Sequence, residues 1–145
     1  MFPISRKNFR IIGYCGAFVV LGASMASLGP TLPYLAENLQ VSVMSLGYLF
    51  STRSLGYLLG SLFIGRLFDR FSGHRLMAVM LLLAAFGMVV IPLAPYVSLL
   101  ALLLLVVGIG FGVTDVGTNT LTMWTYGRRS GPYINTLFFS EVLGA

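Results

Sequence analysis

Three charged side chains, Arg53, Asp115 and Glu141, stand where the surrounding sequence is apolar, and they set the chemistry open to this chain. Asp115 lies in the stretch GIGFGVTDVGTN, residues 108–119, inside a greasy run from about 97 to 123. On a helix, spacings of three and four residues return to one face, so Gly108, Gly112, Asp115 and Asn119 form a single stripe. An ionised carboxylate at membrane depth is costly unless it meets a partner or water, so Asp115 is expected to point into a helix bundle or cavity. The glycines above it let a neighbouring helix come close. Two roles fit: a structural carboxylate bonded to a neighbour's Ser, Thr or backbone, or a group that handles substrate or an ion.

Arg53 lies roughly 14 Å into the second apolar run, close to mid-bilayer at 1.5 Å per helical residue. Gly56 and Gly60 follow on its face, beside Tyr57, as a small-residue contact surface. Arg53 is therefore expected to face inward, either as a structural arginine or to pair with an acid such as Asp115 or hold an anionic or hydroxyl-rich ligand. The last apolar segment carries Asn135 and Glu141. Asp115 precedes Arg128 by thirteen residues and Glu141 follows Arg129 by twelve, so two antiparallel helices meeting at that turn would hold both acids at about one depth. A carboxylate removed from bulk water can carry a proton, and one surrounded by carbonyls and hydroxyls can hold a sodium ion, with Asp115 the candidate ligand. For Glu141 a purely structural role has equal weight.

The elements that must position these groups are membrane helices. The chain of 145 residues is 57% hydrophobic and 9% charged, with a mean hydropathy of +0.92, too apolar for a soluble domain of this size. A net charge of +5 raises the question of nucleic acid, but the basic residues sit in short clusters between apolar runs, the pattern that orients membrane proteins. No nucleic-acid partner is expected. A single cysteine, Cys15, excludes an internal disulfide and reads as a small core residue.

The spacing predicts an all-α membrane protein with helices over about 11–32, 44–67, 76–93 and 97–123, and a partial fifth over 133–145, as one transmembrane domain. The first run has a basic start and small residues that would also suit a secretory signal peptide. It stays apolar past the would-be cleavage site and ends at Gly29-Pro30-Thr31-Leu32-Pro33, where two prolines are expected to stop or kink the helix. The third run contains no polar position that demands a function and reads as lipid-facing packing. Eight of the nine Lys and Arg fall at the N-terminus (Arg6, Lys7, Arg10), after the second run (Arg66, Arg70, Arg75) or after the fourth (Arg128, Arg129), which predicts a cytoplasmic N-terminus.

Between the second and third runs lies Gly65-Arg66-Leu67-Phe68-Asp69-Arg70-Phe71-Ser72-Gly73-His74-Arg75, read as a tight charged turn. It resembles the loop motif of the major facilitator superfamily: a glycine, three residues, Asp-Arg, one residue, then a glycine and two basic residues. Gly65, Asp69 and Arg70 fall in register, while the second glycine arrives one position late, at Gly73, and the basic pair becomes His74-Arg75. The resemblance implies that Asp69 and Arg70 brace neighbouring helices on the cytoplasmic side and help gate a conformational change, with Gly65, Gly73 and Arg75 completing the gating loop. Gly112 to Asn119, Trp124, Gly131-Pro132, Asn135 and Gly144-Ala145 are similar to the fourth and fifth helices of the branch that holds fucose permeases and sodium-dependent glucose transporters. Gly29-Pro30-Thr31 and Arg53-Ser54-x-Gly56-Tyr57 are similar to its first two. Where many members of that branch place His or Gln, this sequence has Phe138.

The resemblance implies a fragment from the N-terminal six-helix half of a twelve-helix carrier, its partners being the lipid bilayer, a small solute such as a sugar, and the remainder of the transporter. The implied activity is ion-coupled transport by alternating access in the plasma membrane, with sodium or a proton as the coupling ion and no cofactor. Arg53, Asp115, Asn119, Asn135 and Glu141 would line the pathway. The alternative is a small membrane protein with a regulatory or interaction role that transports nothing. Enzymatic chemistry is not expected, because the lone His74 has no nucleophile or acid at helical spacing beyond its loop.

Overall fold

A computed structural model describes residues 6–145, with side chains from residue 11 onward except that of Ser45. The side chains of Arg6, Lys7 and Arg10 thus lie outside the described residues. Among those described, the chain forms α1 (Arg6–Asn38), α2 (Val43–Arg70), α3 (Gly73–Val90), α4 (Val97–Tyr126) and α5 (Gly131–Gly144), with short 3-10 turns at Ile91–Leu93 and Gly127–Arg129. Three helical segments are long and apolar enough to cross a membrane: Ile11–Asn38, Gly73–Leu93 and Val97–Arg129. α2 has comparable length but more polar residues, and α5 is shorter.

Two boundaries depart from the sequence reading. α1 continues through Pro30 and Pro33 to Asn38. Proline removes a ladder hydrogen bond, but apolar helices rich in Ser and Thr tolerate it where hydroxyls and neighbours engage the backbone. Pro30 and Pro33 free the Ala26 and Gly29 carbonyls, while the nearby hydroxyls bond to other carbonyls of the stretch: Ser24 donates to Val20 at 2.7 Å, Ser27 to Ser24 at 3.1 Å and Thr31 to Leu28 at 3.0 Å. The stop comes instead at Gln40, whose φ of 53° is left-handed. The Val41 amide returns to the Ala36 carbonyl at 3.0 Å and the Gln40 amide to Glu37 at 3.2 Å, the paired bonds of a Schellman cap.

The second departure is at residues 65–75, where the tight charged turn is confined to a two-residue link and the rest is helix. Gly65, Asp69 and Arg70 belong to the end of α2, and Gly73 and Arg75 to the start of α3, leaving Phe71 and Ser72 between them. The Phe71 amide still reaches the Leu67 carbonyl at 2.9 Å, and the Leu76 amide reaches Ser72 at 3.0 Å. Arg70 in the last turn of α2 suits the negative end of the helix dipole, so the charged residues extend the helix rather than end it.

The chain divides into two compact units, Leu28–Gly117 and a second made of Met1–Ser27 with Thr118–Ala145. In the first, α2 and α4 meet along a seam of glycines. A Cβ added to Gly56 or Gly60 would run into the Leu105 or Ile109 carbonyl, and one on Gly108 or Gly112 into that of Arg53 or Tyr57, each well inside 3.0 Å. Contact positions rise together on both helices, so α2 and α4 run parallel. α3 runs the other way, because Gly87 faces Val107, Met80 and Ala84 face Gly110, and Met77 faces Gly117. One face of α3, with Leu76, Met77, Ala84 and Gly87, is buried, while Val79, Leu82, Phe86 and Val89 are exposed. The third run is therefore packing on α4 along one face and open on the other. Ile64, Leu76 and Val113 centre an apolar cluster with Leu67, Phe68, Met80, Ile109 and Val116. In the second unit α1 and α5 use the same device: Gly22 sits against the Glu141 carbonyl, Gly144 against that of Val19, and Phe18 packs edge-on to Phe138 at 6.0 Å.

Candidate functional site

The glycine seam explains how four side chains come together on the α2–α4 helix pair. Gly108 lies over the Arg53 backbone, and Gly112 one turn later lies over Tyr57. Helical side chains lean toward the N-terminus of their own helix, so Phe111 and Asp115, each three residues beyond a seam glycine, tilt back to those two levels. At the first level the Arg53 guanidinium lies over the Phe111 ring, 5.4 Å from its centroid. At the second the Tyr57 hydroxyl donates to Asp115 Oδ2. Asp115 is half-buried and Phe111 fully buried, so both contacts are largely withdrawn from the surface.

Arg53 and Asp115 therefore share one helix pair, with the acid turned inward, but the expected pairing between them is not formed. The cation takes an aromatic face and its Nε is buried with no hydrogen-bond partner, while the carboxylate takes a phenol. Four residues separate the two levels, and each charge meets the neighbour at its own level. A guanidinium on a ring keeps part of its electrostatic stabilisation, about 1–2 kcal/mol when desolvated.

The other candidates fall elsewhere. Asn119, half-buried, follows Asp115 by one turn of α4 but belongs to the second unit, as do exposed Asn135 and half-buried Glu141 on α5. Phe138, which stands where many members of the resembling branch place His or Gln, packs on Phe18 of α1. Cys15 is a half-buried free thiol on α1. At the α2–α3 link Asp69, Arg70 and Arg75 are exposed, and a Cβ on Gly65 would meet nothing within 4 Å. Arg70 and Arg75 border a groove of about 490 Å³ floored by Leu67, Phe71, Leu76 and Val79, and Arg66 lies over Phe63 at 5.8 Å.

Tyr57 is the site residue that sequence reasoning passed over. Its position one turn beyond Arg53, on the face of Gly56 and Gly60, was the available signal, but an aromatic in an apolar helix reads first as packing. Thr114 was also missed; it is buried on α4, and its hydroxyl bonds back to Gly110 at 2.7 Å.

The family model described as Major Facilitator Superfamily matches residues 14–145. The chain belongs to the major facilitator superfamily. It is a multi-pass membrane protein of a superfamily of transporters rather than enzymes. Among relatives of this major facilitator chain, the sodium-dependent glucose transporter 1 of Danio rerio is 39% identical over 134 residues, 92% of this chain and 23% of that protein. The Rattus norvegicus protein of the same name is 40% identical over 137 residues, 94% of this chain and 28% of its own length. The Homo sapiens one is 34% identical over 131 residues, 90% and 25% of the two chains. The chain thus spans about a quarter of the length of these curated relatives. No solved structure matches it.

Proposed function

We propose that this chain is part of a secondary active carrier that moves a sugar or other small polar solute across the plasma membrane by alternating access, coupled to sodium or protons. On this reading it contributes α1 to α4 as four membrane crossings and α5 as part of a fifth, from the N-terminal half of a major facilitator fold, with the N-terminus cytoplasmic. The alternating directions of α2, α3 and α4 support a crossing by α2 despite its polar residues, since α3 and α4 are each long and apolar enough to cross. The names of the relatives favour sodium over protons and a hexose as solute.

The observation that carries the reading is Asp115, turned into the α2–α4 contact, where the Tyr57 hydroxyl donates to its Oδ2. A carboxylate turned into a helix contact can contribute oxygen to a cation site, with Asp115 the candidate sodium ligand, while Arg53, Asn119, Asn135 and Glu141 would line the solute path. Gly65, Asp69, Arg70, Gly73 and Arg75 would form the cytoplasmic gate, where exposed charges at two helix ends suit contacts that break and re-form. In the product of the native transcript, expressed in cells with low endogenous uptake, Asp115→Asn is expected to abolish cation-driven sugar uptake with surface abundance unchanged. Wild-type coupled uptake in that variant would remove Asp115 from the mechanism. A wild-type protein that reaches the surface and transports nothing would favour a regulatory membrane protein instead.

A further inference from the structure

We infer that Tyr57 is a positioning residue for the coupling cation: its hydroxyl holds the Asp115 carboxylate in the orientation from which it receives that ion. This rests on the carrier reading above and deepens it. Three observations combine. The Tyr57 hydroxyl donates to Asp115 Oδ2, so one carboxylate oxygen is engaged from α2. The backbones bearing these side chains are pressed together at Gly112, whose Cβ position is occupied by the Tyr57 carbonyl and flanked by the Ser61 amide, so the spacing between phenol and acid is fixed by backbone contact rather than by adaptable side chains. Arg53, one turn away on the same helix, lies over the Phe111 ring, one level from the acid.

The chemistry follows from that geometry. An aspartate free to rotate would have to be ordered as the cation arrives, and the ordering would weaken binding. A carboxylate already held through one oxygen has its plane, and so the direction of its second oxygen, fixed in advance. The phenol does this without supplying a charge, whereas a lysine or arginine in its place would compete with the ion.

The test uses the product of the native transcript in cells with low endogenous uptake. The coupling cation is identified first, by replacing sodium with choline at fixed pH and by varying pH in choline; the carrier is then titrated with that cation. Tyr57→Phe, which keeps the ring, is expected to raise the cation half-saturation about tenfold, the equivalent of one charged hydrogen bond. The solute half-saturation at saturating cation is expected to stay within about twofold of wild type. In an Asp115→Asn background the same change is expected to leave residual uptake unaltered, because the group it serves is gone. An unshifted or lowered cation half-saturation overturns the inference, as does an equal loss in the Asp115→Asn background, which would mark Tyr57 as packing. If Asp115→Asn removes coupling while Tyr57→Phe leaves it intact, the carrier reading stands and this inference falls; uptake indifferent to both cations overturns the carrier reading and the inference with it. Should Tyr57→Phe fail to reach the membrane, infrared difference spectra of the purified wild-type protein decide. Cation addition is expected to shift a tyrosine band together with the carboxylate band, and a carboxylate shift with no tyrosine component overturns the inference.

Discussion

Arg53 holds a position that stability alone would not choose. It is a cation within an apolar helix pair, its Nε buried without a hydrogen-bond partner and its charge met by the face of Phe111. Burying a charge without a full set of partners is costly, so an apolar side chain of similar reach should suit the fold as well or better. Arg53→Leu is therefore expected to leave the melting temperature in detergent unchanged or raised while abolishing uptake. A fall of several degrees would mean that the ring contact is worth more than the desolvation it offsets. Phe111→Leu is expected to lower stability by about 2 kcal/mol, from the lost ring face and the cavity together, read as a drop in the same melt. The inward setting of Asp115 and Arg53 was legible in the sequence because a charge in a greasy run has few tolerable directions. Their partners were not, because helical periodicity assigns residues to a face but says nothing of the register between two helices. A shift of one turn along the seam would have brought arginine and aspartate to one level.

At the scale of the helix, the seam makes a sharp division among glycines. Gly56, Gly60, Gly108 and Gly112 each face a backbone carbonyl that a Cβ would strike. Neither backbone can yield without separating the helices, so Gly112→Ala is expected to destabilise by about 1–3 kcal/mol or more. At Gly47 and Gly65 a Cβ meets nothing within 4 Å, and alanine there should be neutral or stabilise by up to about 1 kcal/mol through helix propensity. Thermal unfolding of the four single variants and Gly47→Ala with Gly65→Ala as controls checks the division; equal losses at seam and control positions would mean the helices do not touch there. The seam was readable as paired small residues, and the helices as apolar runs. The ends were harder. Prolines at 30 and 33 looked like terminators, yet α1 closes at Gln40, a residue with no glycine-like preference for positive φ. The charges of residues 65–75 looked like a loop, yet they decorate two helix ends around a two-residue link. In both cases local composition was overruled by backbone hydrogen bonding that continues wherever the ladder can be kept.

For the whole molecule, the links carry the orientation. Those between α1 and α2 and between α3 and α4 hold no Lys or Arg, whereas the α2–α3 and α4–α5 connections are flanked by five of them, Arg66, Arg70, Arg75, Arg128 and Arg129. In a Cys15→Ser background, single cysteines at Ser42 and Tyr96 are expected to react with a membrane-impermeant maleimide on intact cells, and those at Ser72 and Gly131 only after permeabilisation. Labelling of all four from outside would overturn the proposed cytoplasmic N-terminus. On the proposed carrier reading, the backbone-to-backbone join of α2 and α4 also bears on how rocking motion would be distributed. Side chains can swap rotamers as two surfaces slide, but main-chain atoms in van der Waals contact have no such slack, so the pair behaves as a single strut. Pliancy then has to come from stretches that have already surrendered ladder bonds, such as the proline-bearing end of α1, and a crosslink across the seam should cost the transport cycle little where one that stiffens α1 should arrest it.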